Sequence, residues 1–496
     1  MIGVTMRRSL LVIATAVGVL GPAPLAGQRL PDPLPGGSAP ALTQAERDSA
    51  LGALRLQGAA AVPEKRLLLG ATEVVAVNLL VWSYNRYLAD AYDAYPNGDT
   101  IYWARVSPES WKQNLQEGFD WDDNQFSNNQ IAHPYHGNLY FNAARSNGFT
   151  YWESWPFALL GSWTWEYFGE TYRPAYNDWI NTSLGGIALG EMLHRASAMV
   201  LDNTATGGSR TWKEIGGALL NPVQGFTRLV TGDWSRVGPN PADRMPSRVR
   251  GRAYAGARYV GDRSLDQTEG QAFLELGMIY GDPFDAAIRK PFEAFDLYLQ
   301  LTSRNAKPIS RLQTKGILAV GDLRRSDRSA LVVGAFHHFD YMNTAAGEDS
   351  IGFEYGGQSF GAGLLYRTQL SERWSLGAAF YPNVVVLGAT STDMPGTLGR
   401  SYDYGPGFAY KAEAVLRYRD WTILQLNNGL TWTFTANGSE GDHLTRLFEA
   451  NLVVPVFRDL GIGATAALYK RKSFYDGVVP DTEKENPQLR FFIATR

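Results

Sequence analysis

The chain contains no cysteine. Disulfides, thiolate metal sites and a cysteine nucleophile are therefore excluded. It also lacks an excess of either charge, with 46 Lys and Arg against 49 Asp and Glu. That near-balance argues against nucleic acid as a partner, which would favour a basic patch or stripe. The histidine-bearing region shows neither the H-E-x-x-H arrangement nor G-x-S-x-G. The apolar run at the N-terminus, residues 9–20, is shorter than the ~20 residues a transmembrane helix needs.

Aromatic residues, by contrast, are plentiful: 14 Trp and 25 Tyr among 496 residues. Such a load fits aromatic girdles at membrane interfaces. Arg7 and Arg8 precede the apolar run and small residues follow it, so residues 1–27 read as a secretory signal. Residues 28–65 are rich in Pro, Gly and Ala and read as a flexible linker. Residues 66–235 read as a helical domain, with helices predicted over 67–88, 133–144, 153–172, 177–201 and 223–229.

After about residue 250 the apolar period becomes two. Tyr410, Ala412, Ala414 and Leu416 fall on one face, Lys411, Glu413 and Arg417 on the other. Phe448, Ala450, Leu452 and Val454 alternate in the same way with Glu449 and Asn451. The segments are long, and short turns alternate with long polar loops, the pattern of an outer-membrane barrel. The fold class predicted is α+β: a periplasmic helical domain followed by an antiparallel transmembrane β-barrel of about 12 strands over 250–496. An even strand count returns both barrel ends to the periplasm. The lumen would carry Glu275, Asp296, Lys411, Glu413, Arg417, Glu449 and Arg490. The connection 281–291 is rather long for a periplasmic turn.

The residues with most chemistry lie between His133 and Arg195. Ser154, Ala158, Ser162, Glu166 and Glu170 recur every four residues as a polar stripe among aromatics. Asp178, Asn181, Gly185, Ala188, Glu191 and Arg195 share one face of the next helix. Gly161, Gly185, Gly186 and Gly190 would let these helices approach closely. Candidate catalytic residues are His133, His136, Glu166 and Asp178. Candidate binding residues are Arg145, Glu170, Asn181, Glu191 and Arg195. Two histidines with several carboxylates suit a divalent metal or a general base. A satisfied structural network that pins the helices fits the same residues, so the cofactor stays open.

These residues also carry a resemblance. His133-Pro134 with Gly137, Tyr140, Ala144-Arg145 and Gly148, then Gly161, Trp165-Glu166 and Glu170, resemble the bacterial "domain of unknown function 3943" family. Asn177-Asp178, Asn181, Gly186, Gly190-Glu191, Arg195 and Asn221-Pro222 with Gly225 and Arg228 continue it, over roughly residues 82–228. The sequence departs from the family where Ala175 and Tyr176 follow Pro174 in place of a serine. The resemblance implies an envelope protein of bacteria with two membranes, often with a barrel-like C-terminal region. It implies no activity.

The function expected is that of an outer-membrane envelope protein that handles lipids or small solutes, with outer-membrane lipids as its partners. Its helices would pack on the inner face of the membrane or plug the barrel mouth. One alternative is a hydrolase of lipid or lipopolysaccharide. There His133 or His136 is the base, Glu166 or Asp178 orients it, and Arg145 or Arg195 holds a phosphate or carboxylate. The other alternative is a passive pore.

Overall fold

The computed structural model describes residues 64–94, 100–241, 248–263, 268–285, 288–303, 307–345, 352–394, 400–477 and 479–496. The predicted signal 1–27 and nearly all of the linker 28–65 lie outside the described residues.

Twelve antiparallel strands close into one barrel, each paired to its chain neighbour and the last to the first. They are β1 Val249–Gly261, β2 Thr268–Tyr280, β3 Phe295–Thr302, β4 Ile309–Arg325, β5 Ser329–Asn343 and β6 Glu354–Gln369. The circuit continues through β7 Trp374–Ser391, β8 Tyr402–Tyr418, β9 Trp421–Phe434, β10 Gly441–Phe457, β11 Leu460–Tyr475 and β12 Thr482–Thr495. The period of two decides which face each residue takes. Phe448, Leu452 and Val454 of β10 are exposed on the outer wall, as are Phe491 and Ile493 of β12. Glu449 and Arg490, from the same two strands, are buried inside. An apolar outer wall around a charged interior is the architecture of an outer-membrane barrel.

The lumen is bridged from wall to wall. Arg311 on β4 meets Glu449 on β10, six strands away around the ring, at 2.9 Å. Arg490 pairs with the same Glu449 and lies 3.3 Å from Glu275. Lys315 reaches Glu413 at 2.9 Å and Asp296 at 3.0 Å, and Lys411 reaches Asp340 at 2.6 Å. The long connection before β3 folds into the short-turn mouth. Ile288 and Ala294 pack there on Ile317, Val332, Phe336, Leu365 and Tyr381. Asp282 holds Arg367 at 2.7 Å. Burying this apolar surface inside the mouth explains a length that a plain turn does not need.

The helices precede the barrel. They are α1 Leu67–Ser83, α2 Pro108–Glu117, α3 His133–Ser146, α4 Tyr151–Phe168, α5 Tyr176–Ile180, α6 Gly186–Val200, α7 Gly207–Leu220 and α8 Pro222–Val230. π-helical turns extend α1 over Tyr84–Leu88, lead into α3 over Asn128–Ala132, and join α5 to α6 over Asn181–Gly185. Two helices exceed the expectation. α2 is short but carries a Ser107 capping box with Pro108 in its first turn. α7 contains four glycines, which weaken helix propensity and hide it from a composition-based reading.

The position of the helices corrects the expectation of a domain beneath the barrel or plugging its mouth. They pack on the outer wall, over the half of the barrel next to the long loops. On β5 the outward Val333 is 37% exposed, whereas His337 and Phe339, further up the same face, are 0% exposed. The outward Tyr402 and Tyr404 of β8 and Leu387 and Ala389 of β7 are buried in one core with Phe126, Ile131, Phe141, Ile187 and Met192 of the helical region. The contact is mostly apolar, but the covered wall also carries His337 and Gln358, both fully buried, with Gln358 against Gly185 of the bundle. Within the bundle, α3 and α6 touch backbone to backbone. A Cβ on Gly137 would lie 1.7 Å from the Thr182 carbonyl oxygen, so only glycine fits. α1 presents Leu68, Val75, Leu79 and Leu80 outward, unpaired with any element. Among the described residues, Leu67–Leu88 is the one helical stretch long and apolar enough to cross a membrane.

Candidate functional site

Both polar stripes read from the sequence face inward. Ser154, Ala158, Ser162 and Glu166 of α4 are buried, and so are Asp178, Asn181, Ala188, Glu191 and Arg195 along α5 and α6. The structure divides the candidates between two ends of the bundle.

At the end near the long loops, His133, Glu166 and Asp178 come together, with one donor atom of each within 4.8 Å of the others. π-helical turns precede His133 and follow α5, a feature frequent at functional sites. His133 Nδ1 lies 3.0 Å from the Thr182 hydroxyl, which fixes the ring. Its Nε2 faces Asp178 Oδ2 at 3.7 Å, beyond hydrogen-bond reach. Glu166 accepts the Ala175 backbone N–H at 2.9 Å with one oxygen, while the other has no partner. Both polar atoms of the Asn181 side chain are likewise buried without a partner. Glu170 accepts the Trp165 indole N–H at 2.5 Å. His136 stands one turn from the cluster, its Nε2 2.8 Å from the Tyr140 hydroxyl and its ring against Trp165.

Sequence reasoning passed over several members. Asp122 and Asp178 share the Asn177 amide, at 3.3 and 2.7 Å, and Asp122 also takes the Asn129 amide at 2.9 Å. The same amide lies 2.9 Å from the hydroxyls of Tyr402 and Tyr404, on the barrel. Arg400 donates to the Asp122 backbone carbonyl at 2.9 Å. The barrel wall thus forms one side of the site. The acidic pair Asp122-Asp123 beside an Asn-rich run was the available signal. Tyr402 and Tyr404 gave none, since aromatics at period two are ordinary in a strand. Asp122, His136 and Glu170, next to the buried cluster, are half-buried.

At the other end, Arg145 and Arg195 both bind Glu191, at 2.6 and 2.9 Å. Arg195 also donates to the Pro291 carbonyl at 2.9 Å, tying α6 to the barrel connection. The two guanidinium groups are therefore engaged within the fold. This corrects their expected role in holding a substrate anion: satisfying buried Glu191 takes both.

A second constellation lies inside the barrel. His443 is 2.8 Å from Ser473 Oγ and 2.9 Å from Asp403 Oδ2. The residue types are those of a serine hydrolase triad. All three side chains are buried within the lumen wall, and a triad needs an approach for its substrate.

Residues 118–223 match the family described as "Domain of unknown function (DUF3943)". No curated protein matches the chain. Solved structures similar to it include the KdgM porin, 7% identical at a TM-score of 0.22, over 50% of this chain and 99% of that one. The outer membrane channel DcaP of Acinetobacter baumannii is 9% identical at 0.22, over 50% and 96%. The Pseudomonas putida toluene transporter TodX is 6% identical at 0.21, over 51% and 90%. The barrel reading rests on strand pairing and face chemistry, not on these likenesses.

Proposed function

We propose that the protein is a membrane-bound enzyme that hydrolyses an ester or phosphoester of a lipid or lipopolysaccharide, using the His133–Glu166–Asp178 cluster. One contrast carries the reading. The lumenal carboxylates Glu275, Asp296, Asp340, Glu413 and Glu449 each have a Lys or Arg partner. Among the described residues, Asp122, Glu166, Glu170 and Asp178 have none; Asp178 takes the Asn177 amide at 2.7 Å and faces His133. Burying carboxylates without a counter-charge costs stability, and such clusters gather where chemistry is done. Their place outside the lumen, on a flank otherwise facing lipid, favours an amphiphilic substrate over a solute in transit. By the usual orientation of such barrels, long loops outward, the cluster sits at the level of the outer leaflet. The barrel then serves as the wall on which the bundle is held.

The test is purified protein in vesicles of phospholipid and lipopolysaccharide, with lipid products read by mass spectrometry. New cleaved species are expected with the wild type and not with His133→Ala, whose barrel still migrates faster on gels when unboiled. A folded wild type that leaves every lipid intact would sink the reading.

A further inference from the structure

We infer that His133, Glu166 and Asp178 bind a divalent first-row transition ion, zinc foremost. The inference rests on the reading that this cluster is the working site, and it names the cofactor.

Three observations point to an ion. The first is spacing: the three donor atoms lie within 4.8 Å of one another. His133 Nε2 and Asp178 Oδ2, at 3.7 Å, are too far apart to bond directly. Two ligands each ~2.0–2.2 Å from one zinc ion are separated by about that distance. The second is orientation. The Thr182 hydroxyl on His133 Nδ1, at 3.0 Å, supplies the outer partner that a metal-binding imidazole ordinarily has, and leaves Nε2 to face the carboxylate. The third is what goes unmade. Glu166 keeps a buried oxygen without a partner, and the residue is 4% exposed. Among the described residues no Lys or Arg forms an ion pair with Asp122, Glu166, Glu170 or Asp178. Arg400, the cation beside Asp122, gives its guanidinium to backbone carbonyls and Asn437. A dipositive ion would answer this accumulation of negative charge.

The donor chemistry narrows the ion. One imidazole and two carboxylates, with no cysteine in the chain, suit zinc or manganese better than magnesium or calcium, which favour all-oxygen shells. With the ion in place His133 is a ligand rather than a base. The ion would supply an activated water for hydrolysis, with Asp122 or Glu170 placed to take that water's proton and return it to the leaving alcohol as the ester bond breaks.

The experiment uses the full chain, extracted from outer membranes in detergent. Bound metal is measured by mass spectrometry as isolated, after chelation, and after titration with zinc and with manganese. About one ion per chain is expected, falling at least tenfold in Asp178→Asn and in Glu166→Gln, while Ser473→Ala keeps it. A folded wild type that takes up no stoichiometric ion overturns the inference, as does full loading of Asp178→Asn. Should the carboxylate variants fail to fold, cobalt-loaded His133→Cys replaces them. The chain has no other cysteine, so a sulfur-to-cobalt charge-transfer band can come only from this position. Its absence in a folded, cobalt-treated sample overturns the inference. Lipid turnover is read on the same samples. Loading without turnover leaves the ion and removes the enzyme; turnover that survives complete stripping removes the ion and leaves the enzyme.

Discussion

Asp178 and Glu191 are both buried carboxylates on the continuous helix formed by α5 and α6, yet their surroundings differ. Glu191 lies between two guanidinium groups; Asp178 lies beside Asp122 and a histidine. A carboxylate met by two cations contributes to the fold; one met by the Asn177 amide at 2.7 Å and by no Lys or Arg is the candidate for chemistry. Asp178→Asn should therefore reduce lipid turnover by roughly 10²-fold or more, as expected for losing a ligand that holds the ion and its water in place. Unboiled gel migration should stay unchanged. A loss of folding in step with activity would assign Asp178 to the scaffold. Glu191→Ala should do the reverse, costing about 3–5 kcal/mol because buried Arg195 and half-buried Arg145 lose their partner. Thermal melting followed by circular dichroism checks it, and an unchanged midpoint would contradict it. The residue scale was well read from sequence where the helical period held. The helical period puts Ser154, Ser162 and Glu166 on one polar stripe and Asp178, Asn181 and Glu191 on another, and the structure turns both inward. What the period could not show was which cation meets which anion.

The pair α3 and α6 sets the geometry of the site, because His133 opens α3 and Thr182 lies in the π-helical turn before α6. Gly137 and Gly186 make their contact: a Cβ on Gly186 would lie 2.3 Å from the Gly137 carbonyl carbon. Gly137→Leu should force the helices apart and abolish turnover, while the barrel, whose strands pair among themselves, keeps its heat-modifiable migration. Retained activity in that variant would mean the helices have slack that the structure does not suggest. Gly161, Gly185 and Gly190, expected as approach points, each face a ring or side chain within 2.7 Å of a built Cβ. Element boundaries shifted where caps decide them. α4 begins at Tyr151 because Thr150 and Glu153 form a capping box, two residues before the predicted start.

At the scale of the molecule, the strand count, the short turns and the two-faced alternation were legible because period two fixes inside and outside together. The site of the helices was not. The outward aromatic and aliphatic residues of β5 to β8 look alike whether lipid or a helix covers them; the one sequence signal was the polar His337 and Gln358 on that face. The lumen gives a further test. With Arg311 and Glu449 joined across its diameter, planar bilayers should record no steady conductance from the wild type. Replacing both by alanine should give measurable openings. Large, stable channels from the wild type would restore the pore reading.

The exposed face of α1 bears on how such a chain reaches its membrane. A long apolar helix on an exported protein risks being arrested in the inner membrane during secretion. α1 carries Glu73 near its middle, and an ionised residue at a helix centre opposes insertion by about 2.5–3.5 kcal/mol. In the folded protein that carboxylate is buried, taking the Thr227 hydroxyl and the Asn147 amide, both at 2.7 Å. One side chain would thus serve transit and assembly in turn: polar enough to carry the helix past the translocon, then bonded to Thr227 and Asn147 in the folded protein. Glu73→Leu should redirect the chain to the inner-membrane fraction on a density gradient, and normal outer-membrane recovery would refute this. A bundle held against a barrel in lipid is open only to helices that each carry such a polar residue through export and find its partner on arrival.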